Sequence, residues 1–242
     1  MKISKNIDSG ASQPPRWIVL IEILGFIGFA LLSKYLMSMM FWRYAGPFSL
    51  LLTLTLVTLY MRKIGIDWPA LGMRALPGIR AKLMVIPQAM LVFIAFAIVI
   101  ALTTIGGPAI GLDFMAEIPM GVEERWGDVA GNLPMYLLWL VIVWTAAAFG
   151  EEMFFRGYLI SRLQTAFSGY RFASILAVVV PAIFFGYGHY YYQGWRGAIV
   201  TGGIALAFGT MFLLLKRNLW PIILLHGIID TLTFTALYLE WE

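Results

Sequence analysis

The chain has 242 residues, of which 61% are hydrophobic and 12% are charged. A soluble domain carries roughly twice that charged fraction, so the composition excludes an ordinary soluble protein and predicts an all-α, polytopic membrane protein. Cysteine is absent, which excludes disulfides, a thiolate metal site and a cysteine nucleophile. The net charge is +4, but the sequence has no run of basic residues interleaved with aromatic residues, as nucleic-acid binding would favour. We therefore expect the lipid bilayer as a partner and no nucleic acid.

The sequence divides into a short polar stretch and a series of apolar segments. Residues 1–16 are rich in serine and proline and predict a disordered, cytoplasmic N-terminus. Because a spanning helix needs about 20 mostly apolar residues, we predict spans over the following segments: 17–41, 47–61, 83–105, 134–150, 172–189, 197–215 and 219–239. Residues 151–167 either continue the fourth helix or form an eighth element. The expected architecture is a transmembrane helical bundle of about seven to eight spans.

The basic residues are unevenly distributed between the two sides of the predicted bundle. The N-terminus, residues 62–82, residues 151–171 and residues 216–218 share one side, which holds most of the lysine and arginine. The opposite side holds three arginines and most of the acidic residues. The positive-inside rule therefore predicts a cytoplasmic N-terminus.

The loop over residues 107–133 is acidic and lies on the side opposite the N-terminus. A solvated outer loop is the simpler interpretation, and a lid over a substrate entrance is the alternative. No internal repeat is visible in the chain, whereas many transporters are built from matching halves.

The fourth apolar segment ends in two adjacent carboxylates followed by an arginine. On a helix, Glu152 and Arg156 are four residues apart and face each other, whereas Glu151 is rotated by roughly 100° from its neighbour. One carboxylate can therefore be held by the arginine while the other points elsewhere. The alternative is a helix end whose interfacial charges form a salt bridge.

Both histidines of the chain lie within apolar segments. His189 follows Phe185 by four residues, and considered alone it is more simply a packed or interfacial histidine. His226 precedes Asp230 by four residues in the last span, where the pair either takes part in chemistry or holds two helices together. Because ionisable groups inside a bilayer are costly and by default functional, the three motifs together predict one buried reaction centre.

Taken in chain order, the motifs are EEMFFR over residues 151–156, FGYGH over residues 185–189 and HGIID over residues 226–230. They resemble the EExxxR, FxxxH and HxxxN/D motifs of the CPBP family of intramembrane proteases, also called the Abi or CAAX-protease-like family. The resemblance covers residues 134–239 as a catalytic transmembrane core. Residues 17–133, outside the resemblance, are predicted to form the N-terminal transmembrane helices and the acidic outer loop. Two charged residues of this part, Glu22 and Lys34, lie within a predicted span, and we assign them no function.

The resemblance implies hydrolysis of a peptide bond in a membrane-embedded peptide or protein, by a multi-pass protein of the bacterial plasma (inner) membrane. The catalytic residues that it implies are Glu151, Glu152, Arg156, Phe185, His189, His226 and Asp230. In the family pattern, the first glutamate activates water as a general base, assisted by the histidine of the second motif. The third motif stabilises the oxyanion or positions the water, and the other side chains organise and shape the site. Members that act on prenylated proteins often end the third motif in Asn, whereas Asp230 offers no amide donor.

Three alternatives stay open on the sequence. In the first, a divalent metal such as zinc, bound by Glu151, His189 and His226, would activate the water instead. The chain has no HExxH motif. The sequence is compatible both with a metalloprotease and with a glutamate-type hydrolase. A non-catalytic membrane protein of the bacteriocin-immunity type would keep the fold and tolerate loss of Glu151. A proton-coupled transporter would use the acidic and imidazole groups as a relay.

A shared site also requires that the motifs lie at the same depth in the bilayer. At about 1.5 Å per residue, the predicted spans place Glu151 and His226 in the cytoplasmic half and His189 toward the outer face. The side chains can meet only if the helices are offset, tilted or broken. A deeper start of the fifth helix, or a bend at Pro181, would bring them together.

Overall fold

The computed structural model describes residues 14–241, and over that range all regular secondary structure is helical. The helices are α1 (Arg16–Lys63), α2 (Gly78–Ala109), α3 (Met120–Trp126), α4 (Leu133–Ala166), α5 (Ala173–Leu214) and α6 (Trp220–Tyr238). All except α3 are long and apolar enough to cross a membrane, which confirms the predicted all-α, polytopic transmembrane bundle. Most of the predicted disordered N-terminus, residues 1–13, lies outside the described residues.

Several segments of these helices depart from α-helical geometry. In α2, the α-helical parts are Gly78–Leu83, Val85–Ile100 and Gly107–Ala109, and the π-helical part is Ala101–Gly106. In α4, the α-helical parts are Leu133–Ile142 and Ser161–Ala166, and the π-helical part is Val143–Ile160. Two 3₁₀ turns flank α3, at Asp113–Met115 and Gly127–Val129. The long π-helical segment of α4 is the one that carries the EEMFFR motif.

Helix α1 folds back on itself at Phe41, whose φ of −151° and ψ of 71° interrupt the helix. Phe26 of the first arm packs edge-on against Tyr60 of the second arm, with ring centroids 5.6 Å apart. Since these rings lie on opposite sides of the break, the contact requires two antiparallel arms.

Helix α5 folds back in the same way at Gly194, where φ is 56° and ψ is −156°. Glycine adopts this backbone conformation readily because it has no Cβ. Gly186 and Gly202 then lie side by side on the two arms, and a Cβ on Gly186 would collide with the Ala198 carbonyl. Pro181 lies within the first arm of α5, and the backbone angles that interrupt the helix occur at Gly194.

The two reversals divide the five long helices into seven arms, in agreement with the predicted number of spans. Residues 151–167 do not form an eighth element, because α4 runs without interruption to Ala166. The predicted fourth span therefore ended too early at residue 150.

Helix α4 lies at the centre of the bundle, where it packs against α1, α5 and α6. Its C-terminal part is tied to α1 by a buried ion pair, in which Arg162 donates hydrogen bonds of 2.8 Å and 2.6 Å to the two oxygens of Glu22. The Tyr158 hydroxyl donates a third hydrogen bond of 3.1 Å to the same carboxylate. Glu22, which received no role from the sequence, therefore positions α1 against the motif-bearing helix.

The connection between α2 and α4 packs into the bundle rather than lying in solvent. Met115, Arg125 and Val129 are buried, and Trp126 contacts the ring of Tyr192 on α5 at 5.4 Å. The solvated-loop interpretation is wrong for these residues, because their side chains are largely buried, and Arg125 and Trp126 line a cavity between the helices.

Candidate active site

The first motif lies in the π-helical part of α4, Val143–Ile160. Such i→i+5 geometry is rare and is often found at functional sites. Glu152 has no exposed side-chain surface, and Arg156 donates a hydrogen bond of 3.1 Å to its Oε1. The side chain of Glu151 is 21% exposed. The two adjacent carboxylates are thus in different environments, as the spacing predicts: one is buried in an ion pair and the other faces open space.

The third motif, on α6, brings an imidazole between three carboxylates. His226 Nδ1 lies 2.8 Å from Glu152 Oε1. Its Nε2 lies 3.4 Å from Asp230 Oδ2 and 4.0 Å from Glu151 Oε2. The ring therefore links α4 to α6, and its orientation is set from both ends by carboxylate oxygens.

The second motif, on α5, forms a compact local arrangement. His189 Nδ1 lies 2.9 Å from the Phe185 carbonyl oxygen, and the two rings are 4.7 Å apart. A carbonyl can only accept, so Nδ1 carries the proton of the neutral ring and Nε2 is left as its proton acceptor. Phe185 also contacts the first motif, because the guanidinium of Arg156 lies 5.0 Å from its ring centroid.

All the predicted site residues line one cavity of about 310 Å³ between the helices. They are Glu151, Glu152, Arg156, Phe185, His189, His226 and Asp230. The expected mismatch in depth does not occur, because α4 extends over 34 residues and Glu151 lies near its middle rather than at the end of the helix. The condition for a shared site is therefore met.

Two cationic residues that the motifs do not include line the same cavity. Lys34, on the first arm of α1, donates a hydrogen bond of 3.2 Å to the Gly188 carbonyl. Arg125, at the end of α3, is 6% exposed. A lysine within an apolar span was a signal for the first of these. The sequence held no comparable signal for Arg125, which falls in a stretch that resembles a polar loop.

The three suggested metal ligands do not converge on one point. Among residues 14–241, no three His, Asp or Glu side chains are arranged to hold a metal ion. Both nitrogens of His226 already face carboxylate oxygens, and Nδ1 of His189 is bonded to a backbone carbonyl. We therefore derive no step through a metal, and zinc at Glu151, His189 and His226 stays an untested alternative.

Comparison with known proteins supports what the geometry indicates. Residues 133–232 match the family described as type II CAAX prenyl endopeptidase Rce1-like, and this segment contains all three motifs. These residues belong to the CAAX-protease-like CPBP family. The CPBP segment thus begins with α4 and ends within α6, and the family match supports an intramembrane CAAX-type protease at the family level. We found no significant match to a curated protein or to a solved structure.

The CPBP segment accounts for only part of the cavity wall. Lys34 and Arg125 lie outside the matched residues. The chemistry of the motifs comes from the CPBP segment, whereas the N-terminal helices supply additional charge to the same space.

Proposed function

We propose that this protein is an endopeptidase that hydrolyses a peptide bond of a membrane-associated peptide or protein, using water activated by Glu151 and His189. The observation that carries the proposal is the convergence of all three motifs on one cavity within the bundle. The family match supports the same class of reaction.

Glu151 is the general base in this proposal because its carboxylate faces the cavity, whereas that of Glu152 is fully buried against Arg156. A water molecule beside Glu151 loses a proton to it and attacks the scissile carbonyl carbon. The proton then passes to the amide nitrogen as the C–N bond breaks, so that the products are a carboxylic acid and an amine. His189 assists through Nε2, the ring nitrogen left as a proton acceptor.

As an imidazolium between three carboxylates, His226 is suited to stabilise the oxyanion that forms during attack: Nδ1–H donates to Glu152, and Nε2–H is the donor for the oxyanion. Its Nε2 lies at the cavity between Asp230 and Glu151, and Glu152 holds the opposite side of the ring at 2.8 Å. Donors whose orientation is set in advance are the most effective at stabilising developing charge. In this arrangement, Glu152 and Arg156 are positioning residues, and Asp230 orients the imidazole rather than donating a hydrogen bond itself.

Replacement of Glu151 by glutamine tests the proposal, because the amide keeps the size of the side chain but cannot accept the proton. We expect Glu151→Gln to lower the cleavage rate of membrane-peptide substrates by about 100-fold or more, the usual contribution of a general base. The assay would use purified protein in lipid nanodiscs with a library of internally quenched membrane peptides. Glu124→Gln, at an exposed position on α3, is the matched control and should keep the wild-type rate.

Wild-type cleavage by Glu151→Gln would exclude the proposed mechanism. An immunity-type binding protein would show no cleavage in any variant and would keep its biological effect in Glu151→Gln. A transporter would instead show proton-dependent solute flux in liposomes.

The proposed location of the protein is the bacterial plasma membrane, with the N-terminus in the cytoplasm. The excess of lysine and arginine on the N-terminal side of the bundle supports this orientation.

A further inference from the structure

The guanidinium of Arg125 is enclosed by aromatic rings at one end of the cavity. Its Cζ lies between 4.4 and 5.8 Å from four ring centroids, those of Tyr192, Tyr191, Trp126 and Trp139. One of its terminal nitrogens donates to the Tyr191 hydroxyl. Its Nε, although buried, has no hydrogen-bond partner among the described residues. An arginine in this environment has given up most of its hydration without gaining a counterion.

Lys34 brings a second positive charge to the same place. Its Nζ lies 3.7 Å from the ring centroid of Tyr191, the residue that also contacts Arg125. Both cations contact the same Tyr191 ring, at 3.7 Å and 5.6 Å from its centroid, so their positive charges repel each other at short range. The aromatic ring between them and the Gly188 carbonyl offset part of this repulsion.

Neither cation forms an ion pair within residues 14–241. The other buried arginines of the bundle differ in this respect, because Arg156 is paired with Glu152 and Arg162 with Glu22. Buried charges are costly unless they are paired. Two neighbouring cations that line an open cavity without a carboxylate partner therefore form a site that favours an anion.

We infer that Lys34 and Arg125 form a carboxylate-binding subsite, which holds a carboxylate of the peptide while water activated by Glu151 attacks a peptide bond elsewhere in the same cavity. The inference rests on the proposed peptidase function and adds a determinant of substrate choice. A guanidinium offers a planar fork of donors that matches a carboxylate, and the ammonium adds a second charge. The carboxylate is either the C-terminal group of the peptide or an acidic side chain.

The arrangement of charge also orients the substrate. The acidic residues and His226 occupy the wall formed by α4 and α6, whereas the two cations lie where α1, α3 and the α5 reversal meet. A peptide with a carboxylate at the cationic end would place its neutral backbone along the acidic wall. The reverse orientation would put like charges together.

Peptide binding to the Glu151→Gln protein in phosphatidylcholine nanodiscs tests the subsite without turnover. Three N-acetylated alanine–leucine tetrapeptides are compared: the free acid, the C-terminal amide, which has no carboxylate, and a C-terminal amide with one internal glutamate. Inorganic phosphate is the fourth probe. We expect one carboxylate peptide to bind about tenfold more tightly than the plain amide, the gain typical of a charged hydrogen bond. Preference for the free acid identifies a C-terminal carboxylate, and preference for the internal glutamate identifies a side chain.

Lys34→Met and Arg125→Gln, each added to the Glu151→Gln protein, should abolish this preference. The control variants Lys63→Met and Arg62→Gln remove exposed cations at the end of α1 and should keep it. Because Arg125 is buried and its variant is at risk of unfolding, the half-buried Lys34 provides the second test.

Equal affinity for acid and amide peptides, the absence of peptide binding, or a preference unchanged in Lys34→Met would each overturn the subsite. Binding of inorganic phosphate without carboxylate preference would also overturn it and would indicate a lipid-phosphate site. These results do not depend on cleavage, so a failed subsite and a failed peptidase proposal are distinguishable.

Discussion

At the scale of single residues, the adjacent glutamates of α4 have separate tasks. Glu152 contacts Arg156 at 3.1 Å and His226 at 2.8 Å, and its side chain has no solvent-exposed surface. Glu151 is partly exposed and lies beyond hydrogen-bond distance of His226, at 4.0 Å. The identical side-chain chemistry therefore produces a structural anchor at one position and an accessible carboxylate at the next.

This difference predicts opposite effects of the two glutamine substitutions on stability. We expect Glu152→Gln to lower the free energy of unfolding by about 3–5 kcal/mol, because it leaves Arg156 buried without its counterion. Glu151→Gln should change stability little, since its carboxylate forms no close ion pair. Denaturation in detergent micelles, followed by circular dichroism, measures both. Equal stability of the two variants would contradict the assignment of Glu152 as the anchor.

The positions of the imidazole nitrogens lead to a prediction about metal dependence. Because His226 faces carboxylates through both nitrogens and His189 is bonded through Nδ1, we expect EDTA and phenanthroline to leave the cleavage rate of the wild-type protein unchanged. Peptide cleavage after chelation and dialysis is the measurement. Loss of activity that zinc restores would show instead that the side chains rearrange around a metal.

At the scale of elements, the reversal of α5 determines where His189 lies. The second motif ends five residues before Gly194, so the position of the break sets the depth and direction of the imidazole. Close contact between Gly186 and Gly202 keeps the two arms together. Small residues permit such close approach of helices in membranes.

Gly194→Ala should therefore destabilise the protein. The φ of 56° and ψ of −156° at this position are essentially confined to glycine, and a Cβ there costs about 1–3 kcal/mol. We also expect slower cleavage, because relief of the strain would shift His189. Gly25→Ala is the control, since Gly25 is a helical residue of α1 outside the cavity and its Cβ would meet no atom within 4 Å. Unfolding curves and cleavage rates that coincide for the two variants would contradict this role of the turn.

At the scale of the whole molecule, two parts of the chain build one cavity. The CPBP segment, residues 133–232, supplies the three motifs, and the N-terminal helices supply Lys34 and Arg125. The ion pair between Glu22 and Arg162 fastens these parts together. Isolated residues 133–232 would lack the cationic end of the cavity.

The proposed orientation is testable because the chain has no cysteine. Introduced thiols at exposed positions would be the only ones present: Arg80→Cys on the predicted cytoplasmic side and Glu117→Cys on the outer side. We expect a membrane-impermeant thiol reagent to label Glu117→Cys in bacterial cells with a permeable outer membrane, and Arg80→Cys only after lysis. The opposite pattern would reverse the assigned topology.

The sequence alone determined the features that depend on near neighbours along the chain. Apolar segments of membrane length predicted the spans, and residues four apart on a helix predicted that Glu152 would meet Arg156 and that His226 would meet Asp230. These contacts need only a helix in order to form, so the residue types and their spacing are sufficient.

The tertiary structure decided what depends on distant parts of the chain. Lys34 meets the carbonyl of Gly188, 154 residues away, and Arg125 enters the cavity because the loop that carries it folds inward. The extension of α4 past Glu151 and the break at Gly194 set the depths at which the motifs meet. Hydropathy and helical spacing are local properties, whereas these features follow from the packing of whole helices against one another.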